Sequence, residues 1–281
     1  MTEKKSLIVI TWDGVSKPLE YILQDTQRNF DLLIFDHSAK ASKDLVAHLN
    51  PEHFVSTRTE NKGQVFYEVY KYLYPNNEER YEYIGVIDDD LVSLSNLQRQ
   101  VLFDEDHLDY PKVFAVKDKI KKLNPFIKIL PFNRRLTEAE AEVLFIEFDL
   151  IIDGCDNFLT RQIANLACVK LKKPLISGAI SQWEGQVSLF NETKNSACYS
   201  CIFPVQPADG LAPNCAEGGV MGALPGIIGS VMASEAIKNI TGVGENLNDK
   251  LLIFDALNSE FNKINVSKNP NCEICKVHHE T

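Results

Sequence analysis

Residues 150–157 read LIIDGCDN, a short apolar run that ends in acidic and amide side chains. An apolar run bounded by Asp and Gly is typical of a buried β-strand. Asp156 or Asn157 can then cap a helix that ends before Pro174, where the next apolar run begins. The segment therefore predicts a strand–helix–strand unit, the repeating element of a parallel sheet.

The same alternation recurs along the chain. Short β-branched runs lie at residues 7–10, 32–35, 83–87, 175–176 and 251–254. Three further helices are indicated by Pro111 ahead of Asn124-Pro125, by the capping-box pattern Thr137-x-x-Glu140, and by Pro225 ahead of Gly242. We expect an α/β fold with a Rossmann-like, mostly parallel sheet and flanking helices.

Composition excludes several classes of protein. The 281 residues are 44% hydrophobic and 24% charged, which is typical of a globular chain, and the net charge of −10 disfavours a nucleic-acid partner. The apolar run near the N-terminus is interrupted by Asp13-Gly14 before a signal-peptide core can form. Residues 220–233 are too few to span a bilayer. We expect a cytoplasmic protein with no membrane partner.

Four of the seven cysteines form two pairs of identical spacing, Cys198-x-x-Cys201 and Cys272-x-x-Cys275. In a reducing compartment such pairs are typical of metal ligands, and four thiolates close a tetrahedral, structural zinc site. Isolated buried thiols are the alternative. His278 and His279 either replace one ligand or belong to a flexible tail.

Acidic and polar residues follow two of the predicted strands. Asp88 and Asp90 end the run at 83–87, where open α/β sheets bind ligands, and a carboxylate there can accept both hydroxyls of a ribose. Acidic residues also end strands simply as turn formers. Donors suited to a polyphosphate follow at Asn96, Gln98, Arg99 and Lys112.

The second strand end carries Asp156 and Asn157. A carboxylate there can hold Mg²⁺ against phosphates, although helix capping alone also explains these residues. Cys215 lies in a polar loop and is a candidate nucleophile, with a loop thiol of no role as the alternative. The glycines at 218, 219, 222, 226 and 229 do not fit a phosphate loop, and close packing of the following helix against the sheet explains them better.

Taken together, these motifs closely resemble the ThiF/MoeB/HesA adenylyltransferases, relatives of ubiquitin-activating enzymes. The resemblance covers about residues 86–276 and is carried by an ordered series of segments, at 88–100, 111–112, 124–125, 153–161, 174–179, 184–186, 198–201, 215–220, 229–230 and 272–275.

The resemblance implies an enzyme that binds ATP and Mg²⁺ and adenylylates the C-terminal glycine of a ubiquitin-like sulfur carrier ending in Gly-Gly. It also implies a homodimer. Carried over by motif position, Asp88 and Asp90 would bind the nucleotide and its ribose, and Asn96, Arg99 and Lys112 would bind the phosphates. Asp156 would bind magnesium beside Asn157, and Cys215 would form a covalent link to the carrier. Structural zinc would be bound by Cys198, Cys201, Cys272 and Cys275.

The N-terminal third departs from that family. Its Gly-rich nucleotide loop should precede Asp88, yet Gly63 is the sole glycine between Gly14 and Gly85. Residues 1–90 instead resemble, more weakly, the start of a GT-A-type glycosyltransferase. We therefore expect an atypical α/β segment at 1–87 and an adenylation domain with a zinc site at 88–281.

Three functions follow from these patterns. The first is the adenylyltransferase. The second is a catalytically impaired scaffold, or fusion product, that still docks the carrier, as the missing glycines suggest. The third is a nucleotide-sugar transferase that uses Asp88 and Asp90, ranked last because no acceptor-side half of such an enzyme is recognisable. A nicotinamide dehydrogenase is excluded by the absence of a Gly-x-Gly-x-x-Gly sequence.

Overall fold

The computed structural model describes residues 83–125, 127–205 and 219–276, together with the backbone of three earlier strands. These are β1 (Lys5–Thr11), β2 (Phe30–Asp36) and β3 (His53–Ser56). They form a sheet in the order β1-β2-β3, and both pairings are parallel. The parallel arrangement predicted from the apolar runs at 7–10 and 32–35 is therefore confirmed.

The remaining described strands and α-helices alternate over their first seven elements and not beyond them. They are β4 (Tyr83–Ile87), α1 (Lys112–Leu123), β5 (Lys128–Phe132), α2 (Glu138–Phe145), β6 (Ile151–Asp153), α3 (Phe158–Leu171), β7 (Leu175–Ser181), β8 (Glu184–Phe190), α4 (Tyr199–Ile202), α5 (Leu224–Thr241), β9 (Lys250–Asp255) and β10 (Glu260–Asn265). The chain divides into two compact units, Met1–Ile84 with Asp118–Leu130 and Gly85–Lys117 with Pro131–Thr281.

The second unit contains a five-stranded sheet in the order β10-β9-β8-β7-β6. Strands β6 and β7 are parallel and are joined through α3, so the strand–helix–strand unit predicted from residues 150–176 is confirmed. From β7 to β10 each neighbouring pair is antiparallel. The α/β class is confirmed, and parallel pairing does not extend across this half of the sheet. Strands β4 and β5 pair in a separate two-stranded sheet.

The helix boundaries follow from their capping residues. Asn157, and not Asp156, caps α3, because its side chain accepts a hydrogen bond from the backbone N–H of Thr160 at 2.9 Å. Gly242 ends α5 in the left-handed conformation, with a φ of 68°. Helix α2 begins after Thr137 as predicted, but the Thr137 hydroxyl donates to the Glu140 carboxylate, and no side chain caps the backbone.

The centre of the five-stranded sheet is covered on both faces, whereas its edge strand β10 is exposed. Neighbouring residues of one strand point to opposite sides, and Leu175 and Ile176 of β7 belong to two different core clusters. The Leu175 cluster is filled from α2 and α3, and the Ile176 cluster from α5. Since both faces of β7 are covered by helices, this strand begins with the apolar pair Leu175-Ile176 rather than with an alternating pattern.

Glycines of the strands, rather than those of α5, let helix and sheet approach closely. A Cβ at Gly185 of β8 would lie 2.4 Å from side-chain atoms of Ile228, and one at Gly178 would lie 2.2 Å from the sulfur of Met232. Gly226 and Gly229 of α5 are exposed, and a Cβ placed at either would meet no atom of another part of the described chain within 4 Å. The explanation of these helix glycines by close packing is therefore wrong.

Among the helices that the structure describes, none combines the length and the apolar character needed to cross a membrane.

Candidate functional site

The loop after β4 brings three carboxylates together. Oxygen atoms of Asp88, Asp89 and Asp90 lie within 4.8 Å of one another. The backbone N–H of Asp90 donates to Oδ1 of Asp88 at 2.8 Å, which folds the loop back on the strand end. Asp88 is half-buried, and burial raises the pKa of its carboxyl above the ordinary value, against the opposing effects of the hydrogen bond from Asp90 and the charge of Lys112.

Lys112 at the start of α1 joins this acidic loop. Its ammonium group lies 2.6 Å from Oδ2 of Asp90, and its backbone N–H donates to the Asp90 carbonyl at 3.0 Å. The Lys112 side chain is only 10% exposed, whereas that of Asp90 is 64% exposed. A buried ammonium requires a partner, and Asp90 supplies it. The predicted ligands Asp88, Asp90 and Lys112 therefore form one cluster.

Asn96 and Arg99 lie on the next turns of the same loop. The side-chain oxygen of Asn96 accepts from the backbone N–H of Ser93 at 3.3 Å, and Nη1 of Arg99 donates to the Ser95 carbonyl at 3.0 Å. Both side chains are partly exposed. Each predicted phosphate donor is thus held by its own loop while part of it stays accessible to a ligand.

The end of β6 carries a buried polar network. Oδ2 of Asp153 accepts from Nη1 of Arg161 at 3.1 Å and from the hydroxyl of Ser177 at 2.8 Å. All three side chains belong to buried residues, and Asp153 and Ser177 are opposite each other in the β6–β7 register. The sequence interpretation gave Arg161 and Ser177 no role. Their signal is positional, since Arg161 lies one turn into α3 and Ser177 is the residue of the neighbouring parallel strand that pairs with Asp153.

Asp156 lies in the loop between this network and α3. Its carboxylate is exposed, and no hydrogen bond or ion pair within the described residues involves it. No such contact joins it to the Asp88 cluster either. The adjacent Cys155 is half-buried, and burial raises the pKa of its thiol to about 12, so this thiol is protonated at neutral pH and poorly nucleophilic.

The four paired cysteines form a second cluster. The sulfur of Cys198 lies 3.7 Å from that of Cys201 and 3.6 Å from that of Cys272, and the sulfurs of Cys201 and Cys275 are 3.5 Å apart. Tetrahedral coordination with Zn–S bonds of about 2.3 Å separates the sulfurs by about 3.8 Å, whereas a disulfide needs about 2 Å. The four cysteines are therefore close enough to hold a metal ion, as the sequence spacing predicts.

Helix α3 supports this cysteine cluster. Asn165, which is fully buried, directs its amide nitrogen to the sulfur of Cys198 at 3.8 Å and its oxygen to the backbone N–H of Tyr199 at 2.9 Å. The sequence interpretation missed Asn165. The pattern that could have indicated it is a polar residue on the buried face of a helix. Such a donor orients a metal-binding thiolate.

The thiols of the cluster differ in their proton affinity. A hydrogen bond from Cys198 lowers the pKa of Cys201 to about 4, and the same bond raises the pKa of Cys198. Burial raises the pKa of Cys275 to about 12. The hydrogen bond from Cys198 thus favours the thiolate form of Cys201, which is the form that binds metals.

Three candidate residues, Cys215, His278 and His279, lie outside the described residues. Their predicted roles stay predictions.

The fold and these two clusters define an α/β protein with polar strand-end loops and a cluster of four cysteines close enough to hold a metal ion. The chain belongs to the ThiF family, whose family model matches residues 81–274. The resemblance stated from the sequence motifs is therefore confirmed.

For two curated relatives, the matched region covers most of the relative's length. The chain is 41% identical over 196 residues to the sulfur carrier protein adenylyltransferase of Thermus thermophilus, which covers 68% of this chain and 72% of the relative. It is 40% identical over 192 residues to the molybdopterin-synthase adenylyltransferase of Escherichia coli, covering 68% and 76%. A third relative, the probable adenylyltransferase/sulfurtransferase MoeZ of Mycobacterium tuberculosis, is 42% identical, but the chain spans only 48% of it.

Solved structures of MccB from E. coli share the fold. The complex of MccB with AMPCPP and MccA superposes with a TM-score of 0.63 at 19% identity, covering 78% of this chain and 75% of that one. MccB with MccA-N7isoASN gives 0.59 at 21% identity, covering 69% and 59%. At such identities the likeness is one of fold.

Proposed function

We propose that this chain uses ATP to adenylylate the C-terminal glycine of a ubiquitin-like sulfur carrier ending in Gly-Gly, and releases pyrophosphate. Support comes from the adenylyltransferase names of its relatives at about 40% identity. The observation that carries the proposal is the pairing of Lys112 with the strand-end Asp90, because it holds a cation where open α/β sheets bind nucleotides. The end product, in a molybdopterin-type or thiamine-type pathway, depends on the carrier.

The proposed roles follow the positions of the side chains. Asp88 and Asp90 contact the nucleotide, with Asp88 on the ribose. Asn96, Arg99 and Lys112 donate to the phosphates. Asp156, exposed and free of partners in the described part of the chain, holds Mg²⁺ beside the helix-capping Asn157.

The chemistry requires this set of charges. The carrier's carboxylate attacks the α-phosphorus of ATP, the bond from that phosphorus to the bridging oxygen breaks, and pyrophosphate takes the electron pair. Because the carboxylate is already ionised near pH 7, no general base is needed. Both reactants are anions, so the ammonium of Lys112 and the guanidinium of Arg99 serve to offset their repulsion and the charge that develops on the pyrophosphate. Magnesium, when bound, supplies further positive charge there.

The cysteine cluster is proposed as a structural zinc site. Four thiolates leave no open coordination position for a substrate, so the metal would tie residues 272–275 to the start of α4 at 198–201. The sulfur–sulfur distances and the buried donor Asn165 support this role. The proposal also includes a homodimer and a covalent role for Cys215. It further includes a cytoplasmic location, because that compartment keeps cysteines reduced.

The deciding experiment is ATP–pyrophosphate exchange with Mg²⁺, with and without a ubiquitin-like carrier ending in Gly-Gly. We expect exchange that depends on the carrier and is abolished by Asp156→Ala without a change in the circular dichroism spectrum. A carrier truncated by its last two glycines is the matched negative control. Retained exchange in Asp156→Ala would contradict the magnesium role.

The second candidate is a carrier-binding scaffold without catalysis. It is favoured by one observation, the absence of a Gly-rich loop between Gly14 and Gly85. The same experiment separates the two, because carrier binding by calorimetry with no pyrophosphate exchange would support the scaffold.

A further inference from the structure

We propose that Asp153 and Arg161 are positioning residues, which fix the backbone that presents Asp156. The inference rests on the proposed magnesium role of Asp156. It adds two buried side chains that make no direct contact with the Asp156 carboxylate.

The two side chains hold both polar backbone groups of Cys155. Oδ1 of Asp153 accepts from the Cys155 N–H at 3.0 Å, while Nη2 of Arg161 donates to the Cys155 carbonyl. That carbonyl belongs to the peptide plane that continues into the N–H of Asp156, so its orientation is set from within the core.

The chain on the other side of Asp156 is also anchored. Asn157 caps α3 through the N–H of Thr160 at 2.9 Å. Asp156 thus lies between two fixed points, while its own exposed carboxylate makes no hydrogen bond or ion pair within the described residues. Gly154, with no atom within 4 Å of the place of a Cβ, adds no steric restraint of its own. The backbone hydrogen bonds to Cys155 therefore restrain this loop, together with the thiol of Cys155, which donates to the Asn157 carbonyl at 3.5 Å.

The geometry requires arginine at position 161. Nη1 donates to Oδ2 of Asp153 at 3.1 Å and to the Ser177 hydroxyl at 3.0 Å, and Nη2 donates to the Cys155 carbonyl. A lysine ammonium is a single point charge without this planar fork. Arg161→Lys can therefore retain the charge pair with Asp153 while it loses the bond to Cys155.

Arg161→Lys is the test, with two readouts. The first is the rate at which iodoacetamide labels Cys155, resolved by mass spectrometry, which reports on the loop whether or not the protein is active. We expect faster labelling of Cys155 than in the unmodified protein. The second is the Mg²⁺ concentration that gives half-maximal pyrophosphate exchange. We expect it to rise by about tenfold or more, as for other residues that orient metal ligands.

Lys238→Ala provides the matched control. It breaks another ion pair to a buried carboxylate, that of Glu235, which lies on α5. We expect this variant to lower the melting temperature and to leave both readouts unchanged. If Lys238→Ala changes them as much as Arg161→Lys does, the effect is one of general stability and the proposal is wrong.

The remaining outcomes are distinct. Unchanged labelling of Cys155 in Arg161→Lys would overturn the backbone restraint, and faster labelling with an unchanged Mg²⁺ requirement would overturn its connection to Asp156. If the unmodified protein shows no exchange with any carrier, the proposed function fails. The labelling rate then still decides whether Arg161 holds the loop.

Discussion

The ammonium nitrogen of Lys112 lies 2.6 Å from Oδ2 of Asp90, at the start of the helix that follows the acidic loop. The lysine side chain is nearly buried, and the aspartate is largely exposed. This asymmetry has a chemical consequence. Because the Lys112 side chain is nearly buried, its ammonium group does not move freely in solvent. An incoming phosphate would therefore meet an ammonium group whose position Asp90 has already set.

Replacement of this lysine tests its contribution to catalysis. We expect Lys112→Ala to lower kcat/KM for pyrophosphate exchange by about 10²- to 10³-fold, the usual effect of removing one donor to a developing negative charge. Lys112→Arg should retain part of the activity because it keeps the charge. Kinetics at saturating Mg²⁺ make the measurement, and a loss below tenfold would show that Lys112 does not contact the phosphates.

Asp90→Asn separates ligand binding from positioning. If Asp90 mainly holds Lys112, the amide should cost less activity than Lys112→Ala, and the double variant should be no worse than Lys112→Ala alone. Additive losses in the double variant would instead indicate that Asp90 contacts the nucleotide independently. The same kinetic assay measures both.

Loss of one cysteine should remove the metal. The unmodified chain is expected to carry about one zinc ion, and Cys272→Ser should lose it and unfold at a lower temperature, because metal binding contributes to folding. Elemental analysis and thermal denaturation measure these effects. Cys155→Ser, which changes a thiol outside the cluster, is the control and should keep its zinc. A metal-free but equally stable unmodified protein would contradict the zinc assignment.

The amide of Asn165 should tune the affinity of the metal site. Asn165→Ala removes the amide nitrogen that lies 3.8 Å from the Cys198 sulfur and donates to the Ser200 hydroxyl at 3.0 Å, and it removes the acceptor of the Tyr199 N–H. We expect zinc affinity to fall by about 10- to 100-fold, as measured by competition with a chromophoric chelator.

Gln162→Ala is the matched control for Asn165. Gln162 lies one turn earlier on α3 and bonds to Ser200 and to the Phe203 carbonyl, but not to a sulfur. A smaller loss of affinity is therefore expected. Equal losses in the two variants would mean that packing of the loop, rather than the hydrogen bond to sulfur, sets the affinity.

The sequence was sufficient to predict features that depend on local chemistry. Apolar runs located β4, β6, β7 and β9, and cysteine spacing located a cluster whose two halves are about 70 residues apart. The antiparallel pairings from β7 to β10 were not predicted, because β8 mixes polar and apolar residues and hairpin pairing is decided by turns and long-range contacts. Arg161 was missed for a similar reason, since its partners come from two strands and a loop.

The glycines of the second unit give the clearest contrast between sequence pattern and packing, and they can be tested directly. Gly185→Ala places a methyl group 2.4 Å from side-chain atoms of the buried Ile228, so we expect a loss of about 1–3 kcal/mol in the free energy of unfolding. Gly229→Ala lies in an exposed helix interior with open space around it, and it should stabilise by about 0.5–1 kcal/mol. Denaturant unfolding measures both changes.

The combination of Gly185→Ala with Ile228→Ala should cost less than the sum of the single variants, because the second change removes the atoms that the first would strike. Strict additivity would show that the two side chains do not meet.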